Sequence, residues 1–163
     1  MKRIFNGFEK FVTGSSRWLD LIAGFALALM VVIVVADICG NKFFKTPVPG
    51  GIELVSLLSV IAIAFAIAQT QLEHGHIEVE MLVTKFPKVV QKVISLIVYL
   101  FCITLFIILA IRSFTYGVSL QNGGEVTMTL GLPFYPFVWA LGVSAIVVTL
   151  VLIMQLFLKL REK

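Results

Sequence analysis

Charge is scarce in this chain. Asp, Glu, Lys and Arg make up 13% of its 163 residues, about half the share of an ordinary soluble domain, which excludes a large water-facing surface. Histidine and cysteine occur twice each. His74 and His76 share one short polar stretch, and two residues of one loop cannot clamp a haem from both faces. Glu73, Glu78 and Glu80 lie near them without a cysteine, a weak set for zinc, so neither a cofactor nor a metal is expected. No nucleophile–base–acid set, CxxC pair or phosphate loop is present, and the chain reads as no enzyme. Alternating ten-residue strands are missing, which excludes a membrane β-barrel. Basic residues are not interleaved with aromatics in one patch, so no nucleic acid partner is expected. Cys39 falls near the end of a first apolar run and Cys102 midway along a third. They differ in depth by about 15 Å, beyond the ~7 Å reach of a disulfide, so two free thiols packed as small apolar groups are expected.

What fills the space is apolar. Hydrophobic residues are 60% of the chain and the mean hydropathy is +1.05. Residues 54–72 carry no formal charge over about 28 Å of helix, close to the thickness of bilayer hydrocarbon. Runs at 21–39, 93–111 and 134–158 match it, and a backbone in lipid must satisfy its own hydrogen bonds. The expected fold is therefore an all-α integral membrane domain of four transmembrane helices, near residues 19–39, 52–72, 90–112 and 133–158. Residues 21–36 exceed the apolar core of a signal peptide, so the first is read as a retained span. Ten Lys and Arg flank the spans on the side of the termini. On the other side stand three, Lys42, Lys45 and Arg112, which places both termini in the cytoplasm.

In residues 1–17, Phe5, Phe8 and Phe11 share a face opposite Lys2, Arg3 and Lys10, as in a helix lying in the membrane interface. Residues 79–86 carry a shorter apolar stripe, read as a second interfacial helix between spans two and three. Trp18 and Trp139 suit the interfacial belt beside Phe5, Phe8 and Phe11. Within span two, Ser56, Ser59, Ala62, Ala66 and Gln69 recur every three or four residues, a candidate face for a partner helix. Gly24 and Ala28 form a small-xxx-small pair on span one. The charged residues opposite the termini, Asp37, Lys42, Lys45, Glu53, Arg112 and Glu125, are candidates for ion pairs or for docking a partner. Glu53 is explained as a carboxylate at a helix start, or as the partner of Arg112 or Lys42. All ionisable side chains fall at span ends or in loops, where a solute path would need some at depth.

Three segments in order, DICGNKFFKTPVPGGIEL (37–54), GHIEVEML (75–82) and TLGLPFYPFVWALGVSAIVV (129–148), resemble the small membrane subunit, DctQ type, of tripartite ATP-independent periplasmic (TRAP) transporters. The resemblance covers essentially the whole chain. Asn41 and Lys42, and Gln71 and Leu72, stand where that family often has arginine. The resemblance implies a multi-pass protein of the bacterial inner membrane with two partners: a large membrane subunit holding substrate and sodium sites, and a periplasmic solute-binding protein. The expected function is a non-catalytic scaffold of a sodium-coupled importer of small organic anions, bracing the large elevator subunit. The alternative is a self-sufficient proton-coupled exporter working through Glu53.

Overall fold

The computed structural model describes residues 2–73 and 88–161. They form α1 (Lys2–Cys39), which runs on into a π-helical turn (Gly40–Phe44), then α2 (Gly51–Leu72), α3 (Lys88–Gly123) and α4 (Tyr135–Arg161). All four are long and apolar enough to cross a membrane, and the architecture is the expected all-helical one. α1 packs on α2, α3 packs on α4, and α2 and α4 form the seam between the two pairs. Over an 18-residue apolar stretch of each helix, 44% of α4 is buried, against 11% for α1 and for α3. The outer helices therefore offer most of their surface to whatever surrounds the bundle.

α1 is continuous where the sequence reading has a separate N-terminal helix. Its 38 residues make a rod of about 57 Å, and no Gly-Pro or Pro breaks it. Val12 and Ser16 are fully buried. They begin an inward stripe, Val12, Ser16, Leu19, Ala23 and Ala26, spaced by four and three residues as in a coiled-coil seam. Packing on the bundle thus carries one helix straight through Arg17. The histidine stretch and the short helix expected at 79–86 lie outside the described residues.

α1 ends where Lys45 takes a left-handed conformation (φ 53°). Pro47 and Pro49 follow, without backbone N–H groups to extend a helix. Gly50, at φ 70°, turns the chain into α2.

α3 corrects the sequence reading at its far end. The span expected to stop at Arg112 continues to Gly123, so residues 113–123 are helix rather than loop. The reason is packing. A Cβ at Gly117 would collide with the indole of Trp139, and one at Gly142 would lie 3.0 Å from the Phe114 ring. Each helix supplies a ring to the other's glycine, and this contact offsets the poor helix propensity of Gly117. The seam elsewhere is built from small residues: Ala23 with Ala64 and Phe65, and Ala68 with Tyr99, Val148 and Leu152. In lipid no hydrophobic force draws helices together, so close backbone approach has to do so.

Candidate functional site

Polar side chains gather at the two ends of the bundle and tie helices to one another. At the end away from the termini, the Glu53 carboxylate in the first turn of α2 accepts hydrogen bonds from the amides of Thr129 (2.8 Å) and Leu130 (3.1 Å). Those amides sit at the tip of a small hairpin closed by the Val126–Pro133 bridge. The turn holds itself together: the Thr127 amide donates to the Leu132 carbonyl at 2.9 Å, and the Leu132 amide donates to Thr127 Oγ1 at 3.0 Å. The Leu130 side chain occupies the space a Cβ on Gly50 would need. Beside it, Asp37 Oδ1 accepts the Val48 amide at 2.8 Å and pins the first connection to the end of α1. Both loops at this end are thus held by carboxylates of the bundle.

At the end bearing the termini, Ser16 donates to Gln69 Oε1 (3.1 Å) and Gln69 donates to Glu73 (2.6 Å), linking α1 to α2. Gln71 donates to Gln155 Oε1 (2.9 Å), and Gln155 Nε2 donates to the Gln71 carbonyl (2.7 Å). That carbonyl lies in the last turn of α2. Between the two ends, the Ser144 hydroxyl donates to the Ala64 carbonyl.

The candidate residues sort themselves against this frame. In the face Ser56, Ser59, Ala62, Ala66 and Gln69, Ala62 is buried, Ala66 packs against the cluster of Ala23, Ala64 and Phe65, and Gln69 is bonded to Ser16 of α1. The lower part of this face is therefore taken by the chain's own α1. Ser56 and Ser59 bond carbonyls of their own helix, and Ser56 is exposed. Ala28 is exposed, and nothing lies within 4 Å of a Cβ on Gly24; α1 turns its Ala23 and Ala26 inward instead. Asp37 and Glu53 are absorbed by loop amides, so Glu53 is bound to neither Arg112 nor Lys42. Lys42, Lys45, Arg112 and Glu125 are exposed.

Among the anchoring aromatics, Phe11 and Trp18 are exposed, Trp18 by 71%. The side chains of Phe5 and Phe8 lie outside what the structure describes. The Trp139 ring is half-buried against α3, stands edge-on to Tyr135 at 5.0 Å, and its indole N–H is buried without a hydrogen-bond partner. It packs α4 against α3. Cys39 and Cys102 are free thiols as expected; Cys102 packs beside Tyr99, while Cys39 is exposed.

Sequence reasoning missed the hairpin at 126–133 and the Gln71–Gln155 pair. A signal existed for the second, since Gln155 is a lone amide in the last apolar run. A carboxylate with both oxygens on amides predicts its own test. In Glu53→Ala, the Thr129 and Leu130 amides should exchange with solvent on the order of tenfold faster or more, and Glu53→Gln, which keeps one acceptor oxygen, should fall between. Hydrogen–deuterium exchange of the purified chain reads this directly. Unchanged protection in Glu53→Ala would mean that the hairpin holds without the carboxylate.

Compared with models of known families, residues 30–162 match the one described as DctQ, tripartite ATP-independent periplasmic transporters, DctQ component. The match begins inside α1 and takes in the rest of the described bundle to its end. No curated protein and no solved structure matches the chain.

Proposed function

The chain belongs to the DctQ family, the small membrane component of tripartite ATP-independent periplasmic transporters, and from this premise we propose that it is the non-catalytic scaffold of a sodium-coupled importer of small organic anions. In that family the small component works with a large membrane subunit and a periplasmic binding protein. The large subunit carries solute and sodium and moves; this chain braces its static part in the inner membrane, with both termini in the cytoplasm.

One observation carries the reading. The buried polar side chains among the described residues are Ser16, Ser113, Thr127, Ser144 and Gln155, all neutral, and those at the α1–α2–α4 contacts bond neighbouring helices of the same chain. A path for an anion or sodium needs charged or broken-helix sites at depth. The exporter alternative loses support from the same geometry, because both Glu53 oxygens are held by amides of the hairpin. With the termini inside, Lys42, Lys45 and Glu125 stand on the periplasmic side, where they are proposed to receive the binding protein.

The test is reconstitution. Liposomes holding this chain with its large subunit, supplied with binding protein, should take up a small carboxylate under an inward sodium gradient. Liposomes holding this chain alone should take up none. Uptake by the chain alone, abolished by Glu53→Gln, would overturn the scaffold reading. Within the full system, the Lys42→Glu, Lys45→Glu pair should slow uptake at low binding-protein concentration and recover as that concentration rises.

A further inference from the structure

Burial separates the methionines of this chain. Five occur in the sequence, and the structure describes the side chains of Met30, Met128 and Met154. Met154 is buried against Val12 and Val151. Met30 is half-buried on α1. Met128, in the hairpin between α3 and α4, is exposed over its whole surface, with a relative exposure of 102%. The apolar stretch of α3 ends at Gly123 and that of α4 begins at Tyr135, so this thioether lies outside the segments able to cross a membrane.

The turn itself keeps Met128 outward. Thr127, next to it, is buried and spends its amide, carbonyl and hydroxyl on Leu132 and Gly131. On the other side, the Thr129 and Leu130 amides are held by the Glu53 carboxylate, and the Leu130 side chain lies against Gly50. With the backbone tied on both sides, residue 128 cannot swing toward the bundle without breaking those bonds. An apolar, polarisable sulfur is thereby held in reach of small molecules dissolved in water, where thioethers are oxidised.

We propose that Met128 is a site of reversible oxidation, converted to the sulfoxide by a peroxide and restored by a thiol-dependent methionine sulfoxide reductase. In the forward step the sulfur lone pair takes one peroxide oxygen. An S–O bond forms, the O–O bond breaks, and the second oxygen leaves as water; sulfur is oxidised and peroxide is reduced. In the return step two thiols of the reductase become a disulfide, the S–O bond breaks, and its oxygen leaves as water. The fold is indifferent to the change, because the bonds that order the hairpin run through Glu53, Thr127 and backbone amides, and the Met128 side chain enters none of them. The same oxygen placed on Met154 would enter the contact with Val12 and Val151, and burial denies peroxide access to that sulfur.

The experiment treats native membranes holding the protein with hydrogen peroxide at neutral pH and follows each methionine by peptide mass spectrometry. Met128 should gain one oxygen at least about tenfold faster than Met30 and Met154. Reductases of both epimer specificities, supplied with dithiothreitol, should then remove most of that oxygen from the folded protein. After purification, peroxide-treated wild type should unfold thermally at the temperature of peroxide-treated Met128→Leu, which cannot take up oxygen at this position. Oxidation of Met30 or Met154 as fast as Met128 would overturn the inference. So would a Met128 that resists peroxide in the membrane, or a sulfoxide that the reductases reach only after unfolding. A lower unfolding temperature for treated wild type than for treated Met128→Leu would overturn the fold's indifference and the inference with it. None of these outcomes bears on the scaffold reading, which reconstitution decides.

Discussion

Gly117→Leu is expected to separate α3 from α4 over their outer half. The first carbon added at position 117 would already collide with the Trp139 indole, and the Phe114–Gly142 contact about one turn away holds the same two helices close. Overpacking a well-filled contact costs about 1–3 kcal/mol, and the branched side chain puts this variant at the upper end. The checking measurement is thermal or denaturant unfolding of the detergent-solubilised chain, with Trp139 fluorescence as the local reporter. Gly24→Ala provides the opposite sign. Nothing lies within 4 Å of a Cβ there, so relief of glycine's backbone freedom should leave stability equal or raise it by up to about 1 kcal/mol. Equal losses in the two variants would remove the ring-on-glycine account of the α3–α4 contact.

The second large effect is expected at Gln155, which is 5% exposed and makes both hydrogen bonds that join α4 to the end of α2. Gln155→Leu removes both and strands the Gln71 side-chain amide. Hydrogen bonds between membrane helices average about 0.6 kcal/mol and reach about 1.7, so a loss of roughly 1–3 kcal/mol is expected. Adding Gln71→Leu should cost much less than its single-variant value, because the stranded amide goes with it. The bond to the Gln71 carbonyl is still lost in the double variant, so recovery should be partial. Ser56→Ala, whose hydroxyl bonds only its own helix, should be near neutral in the same assay. Strict additivity of Gln71→Leu and Gln155→Leu would show that the two side chains do not act as a pair.

These two sites show where sequence reasoning stops. Gln155 stands out in an apolar run, yet nothing in the sequence couples it to Gln71, because the partner lies across a seam formed by helices distant in sequence. Gly117 reads as a loop glycine among Ser, Thr and Asn until Trp139 is seen against it. Glu53 was legible as a helix-start carboxylate, but the hairpin amides that it holds come from more than seventy residues away.

That four helices are long and apolar enough to cross a membrane was settled by composition and run length alone, since each helix in lipid must be apolar, self-bonded and at least as long as the hydrocarbon is thick. The depth of each helix relative to its neighbours was not. Run boundaries end the third helix at Arg112, whereas the ring-on-glycine contacts with α4 carry it on to Gly123 and set Gly117 against Trp139. Local hydrophobicity decides that a segment enters the membrane; side-chain packing between helices decides how far along its axis it settles.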